Sequence, residues 1–509
     1  MTFEWEHPEP IWRVDTDLPS FPTLEEDIEC DVAIIGGGIT GITTAYLLAE
    51  ADLDVVLLEG SKLLNGTTGH TTAKVTAQHD LIFDELIQHF GEEKAQAYYR
   101  SNQEAVQFIK RIVDENKLEC NFETEDACVY STTDKYAKKL QKEYEAYQKL
   151  GIPCEYADTI PYDSTVKNAL YMKDQAQFHP LKYLLHLLNR FTEAGGRVYE
   201  QTVASDVEKG KVATVRTRDN KAITCNHVVA ASHFPFYDGM GFYFSRLHAE
   251  RSYAIAIKPE KEFPGGMYLS VDQPTRSVRS LDFNGETVLI VGGESHRTGE
   301  GTDTTFHYNA LAEYAAETFG IKEKLYQWSA QDLFTIDKVP YIGKITRNKE
   351  NIYVATGYKK WGMTTGTLAA QLLTDLITNK DNPYAALYTP SRFQADPSLK
   401  HFISSNFNVA AHLMEGKLEL VGTRPEALKK GEGAIVQMNS KRAGAYKDED
   451  GKLHVVDTTC THMGCEVEWN SAEHSWDCPC HGSRFDIDGN VMEGPADKPL
   501  QTFPMEDKA

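Results

Sequence analysis

Apolar and polar residues alternate in several different rhythms along this chain. Val32 to Ile35 form an unbroken apolar run, the pattern of a short strand buried on both faces. After a glycine turn, Ile42, Ala45, Tyr46, Leu48 and Ala49 recur at helical spacing, and Val55 to Leu58 is a second apolar run ending at Glu59. Residues 31–59 therefore predict a βαβ unit. Residues 80–150 read as mostly helical, because Gly91 to Lys117 places apolar and charged residues on opposite faces of a 3.6-residue period. Short runs at 197–200, 213–217, 222–225 and 227–231 predict strands separated by Gly, Asn and Asp turns. Residues 285–293 and 352–357 predict further buried strands, and the stretch from about Gly366 to Thr378 predicts a helix. From Asn382 to Asp396, with Pro383 and Pro390, the chain reads as a linker. Beyond about residue 430 it reads as short strands and turns only.

A chain of 509 residues holds two to four domains at roughly 100–200 residues each. The net charge of −23 argues against nucleic acid or an anionic membrane as a partner, since both select positive fields. No run approaches the ~20 apolar residues of a membrane span, and the acidic, Pro-containing N-terminus lacks a signal-peptide pattern. The expectation is a cytoplasmic protein without a membrane span. Cys30, Cys120, Cys128, Cys154 and Cys225 are scattered, whereas Cys460, Cys465, Cys478 and Cys480 crowd together with histidines. Scattered cysteines are usually inert thiols; a crowd with histidines suits metal chemistry.

Two motifs carry chemistry. Gly36, Gly38 and Gly41 form G-x-G-x-x-G between the first strand and its helix. Such glycines permit a tight turn, the approach of a pyrophosphate to the backbone, and close packing of helix on strand. Glu59, at the end of the second strand, is placed to accept hydrogen bonds from a ribose. This motif alone does not separate FAD from NAD. The second motif is Cys460-Thr461-His462 followed by Cys478-Pro479-Cys480-His481. Two Cys and two His are open to zinc, but paired Cys-His loops match Rieske [2Fe–2S] centres, where two thiolates hold one iron and two imidazoles the other. The expected ligands are Cys460, His462, Cys478 and His481.

From about residue 28 to 380 the chain resembles the FAD-dependent oxidoreductases of the D-amino-acid oxidase and glycine oxidase family. The resemblance rests on the βαβ unit, the small-residue loop Gly66 to Lys74, the segment from Phe178 to Glu208, and the segments from Ile336 to Thr346 and Asn351 to Ile377. It implies FAD, with Val203 at the adenine and with Gly357 and the loop Gly362-Met363-Thr364 beside the flavin. It also implies that His70 and Lys74 lie near the flavin, His70 at the spacing of a histidine that dimethylglycine dehydrogenases link covalently. Where amino-acid oxidases of this family carry a carboxylate-gripping arginine, between Trp328 and Asp337, this chain has Asp332. An anion there points to a cationic amine rather than a simple amino acid. Residues 430–509 are similar to respiratory and photosynthetic Rieske proteins. That likeness implies a Cys465–Cys480 disulfide, a covering proline loop at Gly494-Pro495-Ala496, and Ser483 as a hydrogen-bond donor to the cluster. Phe485 replaces a tyrosine of high-potential members, implying a midpoint below the top of the roughly −150 to +300 mV range.

The expected architecture is α/β plus all-β. An N-terminal arm (1–30) precedes a Rossmann-like FAD-binding domain with an interleaved α+β substrate domain (31–380); a linker (381–429) leads to a small all-β Rieske domain (430–509). The expected activity is oxidation of an amine or amino-acid-like small molecule, with electrons passing from FAD to the cluster and on to an unknown acceptor. An NAD(P)H-dependent flavin/Rieske reductase and a non-catalytic redox carrier or sensor are the alternatives. A Rieske oxygenase needs two histidines five positions apart for its mononuclear iron, and none of the 17 histidines has such a partner.

Overall fold

The computed structural model describes residues 9–392 and 424–503, apart from residues 164, 209, 302 and 439–440. The βαβ unit forms as its pattern predicts: strand Ile28–Ile35, helix Ile39–Ala49, strand Val55–Leu58. The first strand is central in its sheet, with Ile34 registered against Leu57 on one side and Val229 on the other. In order across the sheet run Tyr341–Lys344, Ile352–Thr356, Ala222–Ala230, Ile28–Ile35, Val55–Leu58 and Arg197–Tyr199. Along this order the pairs are parallel except at the edge strand Tyr341–Lys344, and off it Ala213–Thr217 pairs antiparallel with Ala222–Ala230 and with Ala204–Glu208. Strands buried on both faces explain why these runs are apolar throughout.

A second, nine-stranded mixed sheet forms the other half of this region. Three long antiparallel strands, Ile321–Thr335, Leu247–Pro259 and Glu286–Arg297, make one end of it. Residues 80–150 are not helical throughout. Helices Phe83–Phe90, Glu92–Asn116 and Asp134–Leu150 are interrupted by the strand Glu123–Ser131, which pairs with Asn168–Gln177 inside this sheet. The predicted helix near Gly366 begins four residues earlier, spanning Gly362–Ile377. Gly362, Met363 and Thr364 thus form its first turn rather than a loop before it. The stretch after Asn382 is tied down as far as it is described: Tyr388 is buried and Arg392 pairs with Asp337 at 2.8 Å. Residues 393–423, the rest of the predicted linker, lie outside the described residues. The C-terminal region contains two small antiparallel sheets, of three and four strands. Among the described residues no helix is long and apolar enough to cross a membrane.

One buried carboxylate holds the helical layer together. Glu143 accepts the backbone N–H groups of Ile82, Phe83 and Asp84 at 3.0, 2.8 and 2.9 Å, at the start of helix Phe83–Phe90. Burial pushes its pKa up to about 7 against those three bonds. Glu143→Ala leaves three buried donors without their acceptor, and denaturant unfolding should show a loss of about 3 kcal/mol. Glu143→Gln, which keeps one acceptor oxygen, should lose less.

Candidate active site and cluster site

A single cavity of about 1530 Å³ runs from the glycine turn to the C-terminal region. Its wall includes Gly36, Gly38, Glu59, Val203, His70, Lys74, Gly362 and Met363 from the predicted set, and also His462 and Gly494 to Ala496. Gly41, Gly357 and Thr364 stand behind this wall. A Cβ on Gly41 would lie 1.9 Å from the Gly36 carbonyl oxygen, so only glycine lets the helix sit against the turn. Glu59 is fixed by the N–H groups of Gly37 (2.8 Å) and Ser61 (2.9 Å), and burial raises its pKa. Behind the helix N-terminus, Thr364 Oγ1 donates to the Thr76 carbonyl at 3.0 Å.

His70 and Lys74 both line the cavity. His70 Nδ1 bonds the Gly66 carbonyl at 2.9 Å. Lys74 Nζ donates to Tyr268 O (2.7 Å) and Ser277 Oγ (2.6 Å), and burial brings its pKa down to about 7. Asp332 does face the cavity, half-buried on strand Ile321–Thr335. Burial pushes its pKa up to about 7, opposed by Lys360.

At the far end, the thiols of Cys460 and Cys478 touch, and that contact brings the Cys460 pKa down to about 7. The rings of His462 and His481 meet edge to face, 4.9 Å between centroids. Both Nδ1 atoms are buried and have no hydrogen-bond partner among the described residues. A buried, unpartnered imidazole nitrogen is costly unless a metal takes it. Two such nitrogens beside two thiols are the donor set of a [2Fe–2S] centre with mixed ligation. Cys465 and Cys480 are joined by a disulfide, as the Rieske likeness implies. Their sulfurs lie within 4.8 Å of Cys478 Sγ, but a three-sulfur zinc site is ruled out by that bond. Ser483 contacts Cys460 and accepts the N–H of Ala496 at 3.0 Å, tying the proline loop to the site.

The two ends are locked together by contacts no sequence pattern announces. Arg251, 1% exposed, reaches Ser329 Oγ at 2.5 Å, Glu493 at 3.2 Å and Asp477 at 3.8 Å. Arg484 binds the same two carboxylates, Asp477 at 3.0 Å and Glu493 at 2.6 Å. Although burial opposes it, Arg484 and Arg251 hold the Glu493 pKa at about 2. Gln331 Nε2 donates to the Gly482 carbonyl at 2.8 Å, and a Cβ on Gly482 would sit 2.5 Å from that of Ala249. The cysteine-histidine loops therefore rest directly on the large sheet, next to the cavity.

Family models match this chain in two places: FAD dependent oxidoreductase over residues 31–376, and Rieske [2Fe-2S] domain over residues 420–504. The chain belongs to the FAD-dependent oxidoreductases and carries a C-terminal Rieske domain. Its cofactors are accordingly FAD and a [2Fe–2S] cluster. It is 53% identical, over 99% of both chains, to the putative Rieske 2Fe-2S iron-sulfur protein YhfW of Bacillus subtilis. It is 24% identical to the gamma-glutamylputrescine oxidoreductase of Escherichia coli, covering 75% of this chain and 89% of that one. Among solved structures it is similar to glycine oxidase from Geobacillus kaustophilus, with a TM-score of 0.61 at 18% identity over 72% of this chain and 99% of that one. That likeness concerns the fold.

Proposed function

We propose that this oxidoreductase removes two electrons from an amine and delivers them, through a cluster held on the same chain, to an external acceptor. The observation that carries this reading is the one cavity shared by the glycine turn, the His70–Lys74 loop and His462. Gly36 and Gly38 would cradle the pyrophosphate, with Gly41 letting the helix pack against the turn behind them; Glu59 would bind the ribose and Val203 would meet the adenine. His70, Lys74, Gly362 and Met363 would line the flavin site, with Gly357 and Thr364 supporting it from behind, and the N–H groups of the helix starting at Gly362 would favour negative charge there. Cys460, His462, Cys478 and His481 would hold the cluster, and Ser483, beside Cys460, would supply a hydrogen bond to it. When bound, FAD supplies two-electron oxidation of the carbon beside nitrogen, and the cluster carries the electrons one at a time. The chain's own part is to fix the two sites in one frame: the Arg251, Arg484, Asp477 and Glu493 network ties the cluster region to strand Leu247–Pro259.

Asp332 orients the amine. Its neighbours are Glu250 and Arg251 on the adjacent strand, Lys360 from the turn before helix Gly362–Ile377, and Glu493 from the cluster region. The amine reading is supported by the Escherichia coli relative, named for an amine substrate. The NAD(P)H alternative finds no support, because Gly292 and Gly293 lie inside the antiparallel strand Glu286–Arg297 and the next helix, Thr305–Phe319, starts well beyond them rather than at a glycine turn.

The test is an anaerobic panel of amines and NAD(P)H with flavin bleaching as the readout. An amine should bleach the flavin; bleaching by NAD(P)H alone would overturn the reading. With Asp332 at a pKa of about 7, its anionic form binds the substrate ammonium. KM should therefore rise about tenfold as pH falls from 8 to 6, and Asp332→Asn should give a weaker, flat profile over that interval.

A further inference from the structure

Cys30 and Cys225 stand nearly two hundred residues apart in sequence, yet the fold sets them side by side. Cys30 lies on strand Ile28–Ile35 and Cys225 on strand Ala222–Ala230, which run parallel at the centre of their sheet, and the two residues are direct register partners. Register partners on neighbouring strands point to the same face, and both side chains pack into one apolar cluster. Their thiols touch. Neighbouring strands run about 4.8 Å apart, inside the roughly 4.4–6.8 Å that a disulfide spans between Cα atoms. The strand spacing itself therefore permits an S–S bond. Cys154, also half-buried, has no such partner in its register: it stands opposite Met172, and its sulfur accepts from Gln148 Nε2 at 3.4 Å.

The pair is unequal in access. Cys225 is 1% exposed, whereas Cys30 is only half-buried. The Cys30 thiol donates to Cys225 and lowers the Cys225 pKa. The shared proton can sit on either sulfur, so thiolate character also reaches the accessible member. An accessible thiolate in contact with a second thiol is the arrangement in which one sulfur is oxidised and the other resolves it.

We infer that Cys30 and Cys225 are a redox modification site, which a hydroperoxide converts reversibly to a second disulfide that braces the two central strands of the FAD-binding sheet. The Cys30 sulfur takes one peroxide oxygen as the O–O bond breaks, and the first water leaves. The Cys225 sulfur then displaces that oxygen as a second water while the S–S bond forms. The two thiols lose two electrons and two protons, and one hydrogen peroxide becomes two waters. The far ends of the same strands lead to the glycine turn, where the Ala231 N–H donates to the Ile35 carbonyl at 2.8 Å. Oxidation thus ties this strand pair at its opposite end and closes a loop of nearly two hundred residues, which restricts the unfolded chain. Neither cysteine lines the cavity, so the site stands apart from the amine reading.

The test uses the full chain carrying FAD and cluster, exposed to a few equivalents of hydrogen peroxide, alkylated without reductant and digested. Mass spectrometry should find a peptide linking Cys30 to Cys225, two hydrogens lighter than its reduced halves together, in most of the protein. A thiol reductant should return it to those halves. On heating, oxidised protein should release its flavin several degrees above reduced protein. Cys30→Ala and Cys225→Ala should each abolish both the link and the thermal gain, with FAD content and the cluster EPR signal as folding controls; if one variant fails these controls, the other carries the test. Cys154 should form no cross-link under the same treatment. Cys30 that stays reduced, or that reaches sulfinic acid while Cys225 stays free, would overturn the assignment. So would a link that reductant cannot reverse, a link without thermal gain, or a thermal gain that persists in either variant.

Discussion

Gly41→Ala is expected to give protein that folds its C-terminal region but retains no FAD. The added Cβ would lie 1.9 Å from the Gly36 carbonyl oxygen. That oxygen is backbone, and Gly36 is itself held by its N–H bond to the Leu58 carbonyl at 2.8 Å. Neither side can yield without moving the turn away from the helix N-terminus, where the pyrophosphate is proposed to sit. FAD affinity should fall by about a hundredfold or more, a loss of roughly 2.7 kcal/mol, and the purified protein should lack the flavin absorption bands. The cluster EPR signal should survive, because the C-terminal sheets and the Cys465–Cys480 disulfide do not depend on that turn. Full flavin occupancy in this variant would show that the cofactor is held elsewhere.

Cys478→Ser should do the converse. Cys478 is 1% exposed, its thiol touches that of Cys460, and its N–H donates to the Ser483 carbonyl at 2.8 Å. Serine preserves the fold of the loop but replaces a soft thiolate with a hydroxyl that does not ionise in that setting. The cluster signal should be lost. Anaerobic bleaching of the flavin by substrate should continue, while turnover with a one-electron acceptor should fall by about a hundredfold or more. Wild-type turnover in this variant would mean that the cluster lies off the electron path.

These effects follow from motifs that were legible in the sequence for a physical reason. Val32 to Ile35 and Val55 to Leu58 are apolar throughout because both faces of a parallel sheet are covered. The glycines stand out because nothing else fits between helix and turn. The strand Glu123–Ser131 was hidden because its first four residues are acidic or polar and partly exposed, so it reads like its helical neighbours. The helix at Gly362 starts before its apolar periodicity does, since its first turn is Gly-Met-Thr-Thr, with Gly362 and Met363 at the cavity wall. At the cluster, ligand spacing was visible because loop geometry fixes it. Arg251 was not visible, since its partners Asp477 and Glu493 lie more than two hundred residues away and only the tertiary fold brings them together.

The central claim is that electrons pass from flavin to cluster within one chain. It is tested most directly without a substrate, by reducing the flavin anaerobically with light and a sacrificial donor while following the cluster by EPR. The account predicts that the reduced-cluster signal grows as the flavin bleaches, at a rate independent of protein concentration, and that flavin-free Gly41→Ala protein shows no such growth under the same light. A fully bleached flavin beside a cluster that stays oxidised would contradict it.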